Sequence, residues 1–130
     1  MDLSSALDVI GSDQRPRADR EQNRLIGTRC NECNVPSWPG RAICHHCGSP
    51  DLATETFSAT GRLTTHTTVH VPLPGLEAPY MLGQVQLDDN GPSVFGQVRG
   101  LPADAAVPCT VTTALGDPVA TPWYWFEPRV

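Results

Sequence analysis

Residues 27–50 read GTRCNECNVPSWPGRAICHHCGSP and decide the fold of this 130-residue chain. They contain two C-x2-C pairs, Cys30 with Cys33 and Cys44 with Cys47. Each pair can form a tight turn that presents two thiolates on one side, and two such turns complete the tetrahedral sulfur coordination that zinc prefers. Iron accepts the same ligands and is the less favoured metal. The spacing therefore predicts a structural zinc site with four protein ligands, in a zinc ribbon.

Other readings of the cysteines are weaker. Redox C-x2-C motifs usually occur singly at the start of a helix in a βαβ unit, which this sequence does not suggest. His45 and His46 lie between the second pair of cysteines, and we interpret them as solvated residues. The ribbon segment has too few apolar residues for a core of its own, so metal binding, worth about 10 kcal/mol in zinc-finger peptides, would stabilise it.

The residues after the ribbon alternate between apolar and polar with a period of two, which indicates strands. The first strand should place Leu63, Thr65, Thr67 and Val69 on one face and residues such as His66 on the other. Asp89-Asn90-Gly91-Pro92 is a turn of the Asn-Gly kind that joins hairpin strands. Five strands with hairpin spacing suggest a small closed barrel of the OB type. The predicted strands are 62–71, 80–88, 93–99, 107–115 and 119–126.

Residues 2–10 and 17–26 have weak helical character, since Leu3, Leu7 and Ile10 fall on one helical face. The sequence thus predicts a mostly β fold with an N-terminal helix. The expected segments are an N-terminal helical segment at 1–26, a zinc ribbon at 27–52 and an OB-fold domain at 53–130.

Charge and hydropathy narrow the classes of partner. The net charge is −5 and there is no lysine, which disfavours binding to a phosphate backbone. No stretch approaches the roughly 20 apolar residues of a membrane helix. The N-terminus lacks the basic and apolar regions of a secretory signal, so we expect a cytoplasmic location and no membrane partner.

No catalytic set is evident in the sequence. Cys109 falls on an apolar strand face with Val111, which is typical of a buried, inert thiol. His66 and His70 would be about 13 Å apart along a strand, too far to share a metal ion. An enzyme acting alone is therefore not expected.

The C-terminal stretch TPWYWFEPRV, residues 121–130, is rich in aromatic residues. Tyr124 and Phe126 would face one side of a strand, and Trp123 and Trp125 the other. One pair can enter the core. The two tryptophans either lie under the N-terminal helix or the ribbon, or contact a partner protein, and we interpret them as candidate partner-binding residues.

Several motifs occur here in a characteristic order. They are L-x-G-x-R-C-x2-C at 25–33, Trp-Pro-Gly-Arg at 38–41, C-x2-C-G-S at 44–49, a strand starting at Gly61, and Glu-Ala-Pro-Tyr at 77–80. In this order they resemble the DUF35 family. The resemblance implies a rubredoxin-like zinc ribbon followed by an OB-fold. Two departures concern loop paths only: Asn34 replaces the usual glycine after the first cysteine pair, and Gly40 replaces a proline.

The resemblance also implies a function. Members of the family are non-catalytic partner subunits of thiolase-fold enzymes, namely thiolases, acyltransferases and aldolases that act on acyl-CoA thioesters. Arg29, Trp38 and Arg41 are candidate contacts for coenzyme A, although Trp38 could instead pack the ribbon against the barrel. Two alternatives stay open: a single-stranded nucleic-acid-binding module, because ribbons and OB-folds serve that role elsewhere, and a rubredoxin-like electron carrier.

Overall fold

The computed structural model describes residues 17–74, 76–117, 119 and 122–129. These residues form strands and loops, and none of them lies in a helix that could cross a membrane. The first four strands form a ribbon sheet and the last five close into a barrel. Their bounds are β1 Ala18–Asp19, β2 Arg24–Cys30, β3 Pro36–Ser37, β4 Leu52–Thr56, β5 Thr60–Val69, β6 Tyr80–Leu87, β7 Ser93–Val98, β8 Cys109–Leu115 and β9 Tyr124–Pro128.

The ribbon sheet is built around β2, which pairs with β1, β3 and β4 in antiparallel register. β4 runs beside β2 from Ile26, opposite Thr56, to Cys30, opposite Leu52. The sheet therefore extends beyond the expected ribbon segment at both ends. Cys30 is the last residue of its central strand.

The helix predicted over residues 17–26 is wrong, because this stretch forms the β1–β2 hairpin. Asp19 and Asn23 shape its turn: the Asp19 carboxylate accepts the Glu21 N–H at 3.0 Å, and Asn23 has a φ of 52°. Asn and Asp tolerate such backbone geometry and compete with helix formation. Leu25 is fully buried on β2, so tertiary packing outweighs the weak helical pattern. The helix predicted at 2–10 lies outside the described residues.

The barrel has the strand order β5-β6-β7-β9-β8, with β8 returning to β5. β7 and β9 are parallel, meeting at Val98 and Phe126, and the other pairs are antiparallel. This confirms the predicted OB-type barrel. The predicted turn between β6 and β7 is also present, with Asp89 and Asn90 both at a φ near +60°. Two consecutive positive φ values give the twist that suits a tight hairpin.

The face prediction for β5 is wrong beyond Leu63, because a β-bulge shifts the register between Leu63 and Thr65. His66 now lies opposite Gly83, and Thr68 opposite Met81. Both therefore share the inward face with Leu63, since directly opposed residues project to the same side of a sheet. A bulge inserts one residue, which inverts all later side chains relative to simple alternation.

One hydrophobic core spans the ribbon sheet and the barrel. Ala18 and Leu25 of the hairpin, and Phe57 after β4, join buried barrel residues in a single cluster. The barrel members are Leu63, Met81, Val85, Leu87, Val94, Val98, Val111 and Phe126. The Arg20 guanidinium also bonds the Gly116 carbonyl in the loop after β8, at 2.6 and 2.5 Å. The two units are thus packed as one body.

Candidate metal centre and flanking surfaces

The four cysteines converge at one end of the ribbon sheet. Cys30 ends β2 and is buried, as is Cys44, whereas Cys33 is half-buried and Cys47 is exposed. Their sulfur atoms all lie within 4.8 Å of one another, and the Cys30–Cys47 and Cys33–Cys44 sulfur distances are 3.5 Å. A tetrahedron with Zn–S bonds of about 2.3 Å has sulfur–sulfur edges of about 3.8 Å. The donor set and its spacing therefore fit a four-coordinate zinc ion.

The two cysteine turns have the same local geometry. The carbonyl of Cys30 accepts the N–H of Asn34, and the carbonyl of Cys44 accepts the N–H of Gly48, both at 3.0 Å. Asn34 and Gly48 close the turns with φ values of 66° and 79°. Asparagine reaches this conformation more readily than most non-glycine residues, which explains why it can replace the usual glycine.

Main-chain N–H groups favour the thiolate forms of the buried pair. The N–H of Cys47 is the largest influence on Cys44 and lowers its pKa to about 6, and the N–H of Cys33 lowers the pKa of Cys30. Burial, which disfavours the charged form, raises the pKa of Cys33 to about 12, and the neighbouring cysteine side chains add to the rise. Four thiolates can thus be held together only by a cation, which is what a bound metal supplies.

His45 and His46 are exposed and lie outside the cysteine cluster. His46 contributes its main-chain N–H, which points to the Cys44 sulfur at 3.4 Å. This arrangement agrees with the expectation that both imidazoles are solvated.

Arg29, a candidate for coenzyme A binding, is bound to the protein itself. Its guanidinium makes a two-pronged ion pair with Glu55, at 2.7 and 2.8 Å. It also donates to the main-chain oxygens of Asn34 and Asn90, both at 2.9 Å. Arg29 therefore joins β2 to β4, to the first cysteine turn and to the β6–β7 turn of the barrel, and its charge is already paired.

Trp38 lies between the ribbon and the barrel. Its ring centroid is 5.1 Å from that of Tyr124 and 5.9 Å from that of Trp123, in tilted or edge-on geometry. Its indole N–H donates to the Arg17 carbonyl at 3.0 Å. These contacts favour the packing role for Trp38 and place its ring against Trp123, which is half-buried.

Arg41 lies at an open cleft in the ribbon. Its main-chain N–H donates to the Thr28 hydroxyl at 3.2 Å, and its Nε donates to the Ser37 hydroxyl at 3.1 Å. The cleft has a volume of about 250 Å³ and lies between the sheet face carrying Thr28 and Thr54 and the loop through Gly40. Of the three candidates for coenzyme A binding, Arg41 alone lines this cleft.

Trp125 projects from the outer face of the barrel. Its indole N–H donates to Glu127 at 2.8 Å, and the Arg99 guanidinium lies 3.9 Å above its ring, which is cation–π geometry. Phe95, on the neighbouring β7, is exposed over more than half of its surface. Sequence reasoning missed Phe95 and Arg99, because only the parallel β7–β9 pairing brings Arg99 over the Trp125 ring and sets the strand that carries Phe95 beside β9.

The chain matches two family models, one described as the rubredoxin-like zinc ribbon domain of ChsH2 over residues 17–53 and one as the C-terminal OB-fold domain of ChsH2 over residues 54–123. The chain therefore belongs to the ChsH2 family of DUF35 proteins.

Relatives and solved structures agree with this assignment. A "DUF35 domain-containing scaffold protein" of Pyrococcus furiosus is 41% identical over 81 residues, covering 61% of this chain and 58% of that protein. A "Probable enoyl-CoA hydratase alpha subunit" of Thermomonospora curvata is 29% identical over 111 residues, covering 85% of this chain and 32% of that protein. The chain thus spans less than two thirds of these relatives. A solved chain of an "Ltp2-ChsH2(DUF35) aldolase" superposes with a TM-score of 0.68 at 28% identity, covering 89% of this chain and 100% of that chain.

Proposed function

We propose that this chain is a non-catalytic accessory subunit that binds and supports a thiolase-fold enzyme acting on acyl-CoA thioesters. The observation that carries the proposal is the likeness to the chain from the Ltp2-ChsH2(DUF35) aldolase, which is covered over its whole length. The relatives named as a scaffold protein and as a hydratase subunit support an accessory role.

The metal centre has a structural role in this proposal. Zinc would be held by Cys30, Cys33, Cys44 and Cys47, and four protein ligands leave no open position for a substrate or water. The ion supplies a cross-link between the two cysteine turns. The chain's own residues then orient the ribbon on the barrel, through Arg29 at the β6–β7 turn and Trp38 at β9.

The outer face of β7 and β9 is the proposed contact surface for the enzyme. We define this aromatic surface as Phe95, Arg99 and Trp125. Tryptophan and arginine are enriched among the residues that dominate binding energy at protein interfaces, and the exposed Phe95 on the neighbouring strand adds apolar area. Trp123 packs against Trp38 and Tyr124 and is not counted in this surface.

A pull-down of the tagged chain from its native host, followed by mass spectrometry of the proteins recovered with it, tests the proposal. A thiolase-fold enzyme should co-purify at fixed stoichiometry, and its turnover of acyl-CoA should fall when the chain is removed. Trp125→Ala and Phe95→Ala should weaken the complex, whereas Arg62→Ala, at an exposed position on β5, is the matched control. An enzyme that is fully active and forms no complex with the chain would reject the proposal.

Arg41 is the proposed contact of this chain with coenzyme A in the complex. A guanidinium beside a cleft can bind a phosphate through paired hydrogen bonds. Arg41→Ala should raise the KM of the complex for acyl-CoA with little change in kcat, because a ground-state contact is lost. If the intact complex has the same KM for acyl-CoA with Arg41→Ala as with the unaltered chain, Arg41 has no such role.

The alternatives make different predictions. A nucleic-acid-binding module should shift the fluorescence anisotropy of a single-stranded oligonucleotide at low salt, where electrostatic binding is strongest. The net charge of −5 predicts no shift. An electron carrier should be coloured and contain iron, so elemental analysis of a colourless, zinc-loaded preparation separates it from the proposed subunit.

A further inference from the structure

β5 extends beyond its neighbour on one side. It pairs with β6 as far as Val69, opposite Tyr80, but with β8 only as far as Leu63, opposite Cys109. Among the described residues, no other backbone-to-backbone hydrogen bond reaches residues 64–69. This part of β5, the open edge, therefore presents main-chain groups without a ladder partner.

The direction of the main-chain groups in β6 follows from one hydrogen bond. The Leu87 N–H donates to the Pro92 carbonyl at 3.1 Å, on the side of β7. In an antiparallel sheet each residue directs both its N–H and its C=O to one side, and successive residues alternate. Leu82 and Tyr80, at odd separations from Leu87, therefore direct theirs toward β5.

The outward groups of the open edge follow from this register. Leu82 and Tyr80 lie opposite Thr67 and Val69, so these two β5 residues bond to β6. The residues that alternate with them, His66 and Thr68, direct their N–H and C=O groups away from β6.

The open edge has few of the features that usually protect a free strand. Thr64–Val69 reads TTHTTV, with no proline, no lysine and no acid. Monomeric proteins generally protect such edges with charged side chains, proline or bulges, because an exposed strand of β-branched residues recruits another strand. The bulge lies at Thr64, at the start of the open edge, and leaves residues 65–69 regular.

We propose that the open edge pairs antiparallel with the same edge of a second copy of this chain, about a two-fold axis at Thr67. His66 of each copy then lies opposite Thr68 of the other, and the outward groups of the two residues satisfy each other. An edge whose outward residues are two positions apart is its own complement under two-fold symmetry. Because the open edge carries no acidic side chain, two chains of net negative charge can pair there without direct charge repulsion.

Exposed apolar residues at both ends of the open edge favour a second copy as the occupant. Val71 and Leu73, at one end, are 67% and 52% exposed. Val107, 43% exposed, precedes β8 at the other end. Antiparallel pairing brings the Val71 end of one copy to the Val107 end of the other. Apolar side chains would therefore be covered on both sides of the axis.

Sedimentation equilibrium of the full chain, from about 1 to about 500 µM, tests the dimer. An interface of one short strand and a few apolar residues falls at the small end of protein interfaces, so a weak association is expected. The mass should rise toward twice that of the monomer with concentration. Hydrogen exchange at the amides of His66 and Thr68 should slow in the same range, while the exchange of Thr67, already bonded to β6, stays slow throughout.

Thr68→Pro removes an outward N–H and no bond to β6, and should weaken the dimer at least about tenfold. Thr68→Ala keeps the N–H and is the control. A monomer at every concentration would overturn the proposal, as would a dimer that both variants form equally well. Protection of the same two amides only after another protein is added would overturn it too. Should Thr68→Pro fail to fold, the concentration dependence of amide exchange in the unaltered chain decides.

Discussion

Arg29 offers a quantitative test of how the ribbon is held, because Arg29→Ala removes its ion pair and its bonds to two main-chain oxygens. Hydrogen bonds between charged groups contribute about 1.5–3 kcal/mol. The side chains of Arg29 and Glu55 are 15% and 34% exposed, so solvent screening lowers that figure. Water can replace the two bonds to main-chain oxygens. We expect the free energy of unfolding to fall by about 2 kcal/mol, which lowers the Tm by about 6 °C for a chain of this size.

Urea and thermal denaturation of the zinc-loaded protein at pH 7 measure this loss. A double-mutant cycle with Glu55→Gln should give a coupling energy of about 1 kcal/mol that shrinks at high salt. Arg62→Ala, on the exposed face of β5, is the control and should stay within about 0.5 kcal/mol of the unaltered protein. A loss below about 0.5 kcal/mol for Arg29→Ala, or no coupling with Glu55, would refute the role we assign to this network.

The remaining predictions concern the metal, two glycines, the core and acid. Chelation, or Cys33→Ser, should lower the Tm by more than 10 °C, about 3 kcal/mol or more, and zinc should restore only the chelated protein. Gly27→Ala should cost about 3 kcal/mol, because a Cβ there would overlap a main-chain oxygen and a phenyl ring, whereas Gly48→Ala, in open space but at positive φ, should cost about 1 kcal/mol; equal losses would contradict this. Phe126→Ala should cost about 3–5 kcal/mol, measured by urea denaturation, and a smaller loss would mean that the barrel repacks. Arg29 depresses the pKa of Glu55, so the carboxylate stabilises the fold above its unfolded pKa of about 4.3 and less as the pH falls through the folded pKa; the stability difference from Glu55→Gln should therefore shrink as the pH falls below about 4.3, and a constant difference would contradict it.

Local patterns carried the successful sequence predictions. The four cysteines come together because each pair is set by its own turn, and the residues four positions after Cys30 and Cys44 supply the positive φ. The hairpin between β6 and β7 likewise follows from a few turn residues. Strand existence in the barrel followed from alternation, since one face of each strand is buried.

Features that depend on distant residues were not predictable in the same way. The bulge after Leu63 leaves no mark in the sequence and inverts the faces of the second half of β5. The β1–β2 hairpin replaced an expected helix because Leu25 packs into a core completed by barrel residues far along the chain. The assignment of Arg29 to coenzyme A could not anticipate Glu55 and Asn90, which reach it only in the folded chain.

The shared core has a consequence for the supply of metal in the cell. Ala18, Leu25 and Phe57 belong to the same cluster as the barrel residues, so the ribbon and the barrel should unfold together. A ligand that binds only the folded state then stabilises every strand in proportion to the logarithm of its free concentration. The amount of intact barrel is thus thermodynamically linked to free zinc. Zinc scarcity would therefore reduce the amount of folded protein, including the barrel, which contains none of the four cysteine ligands.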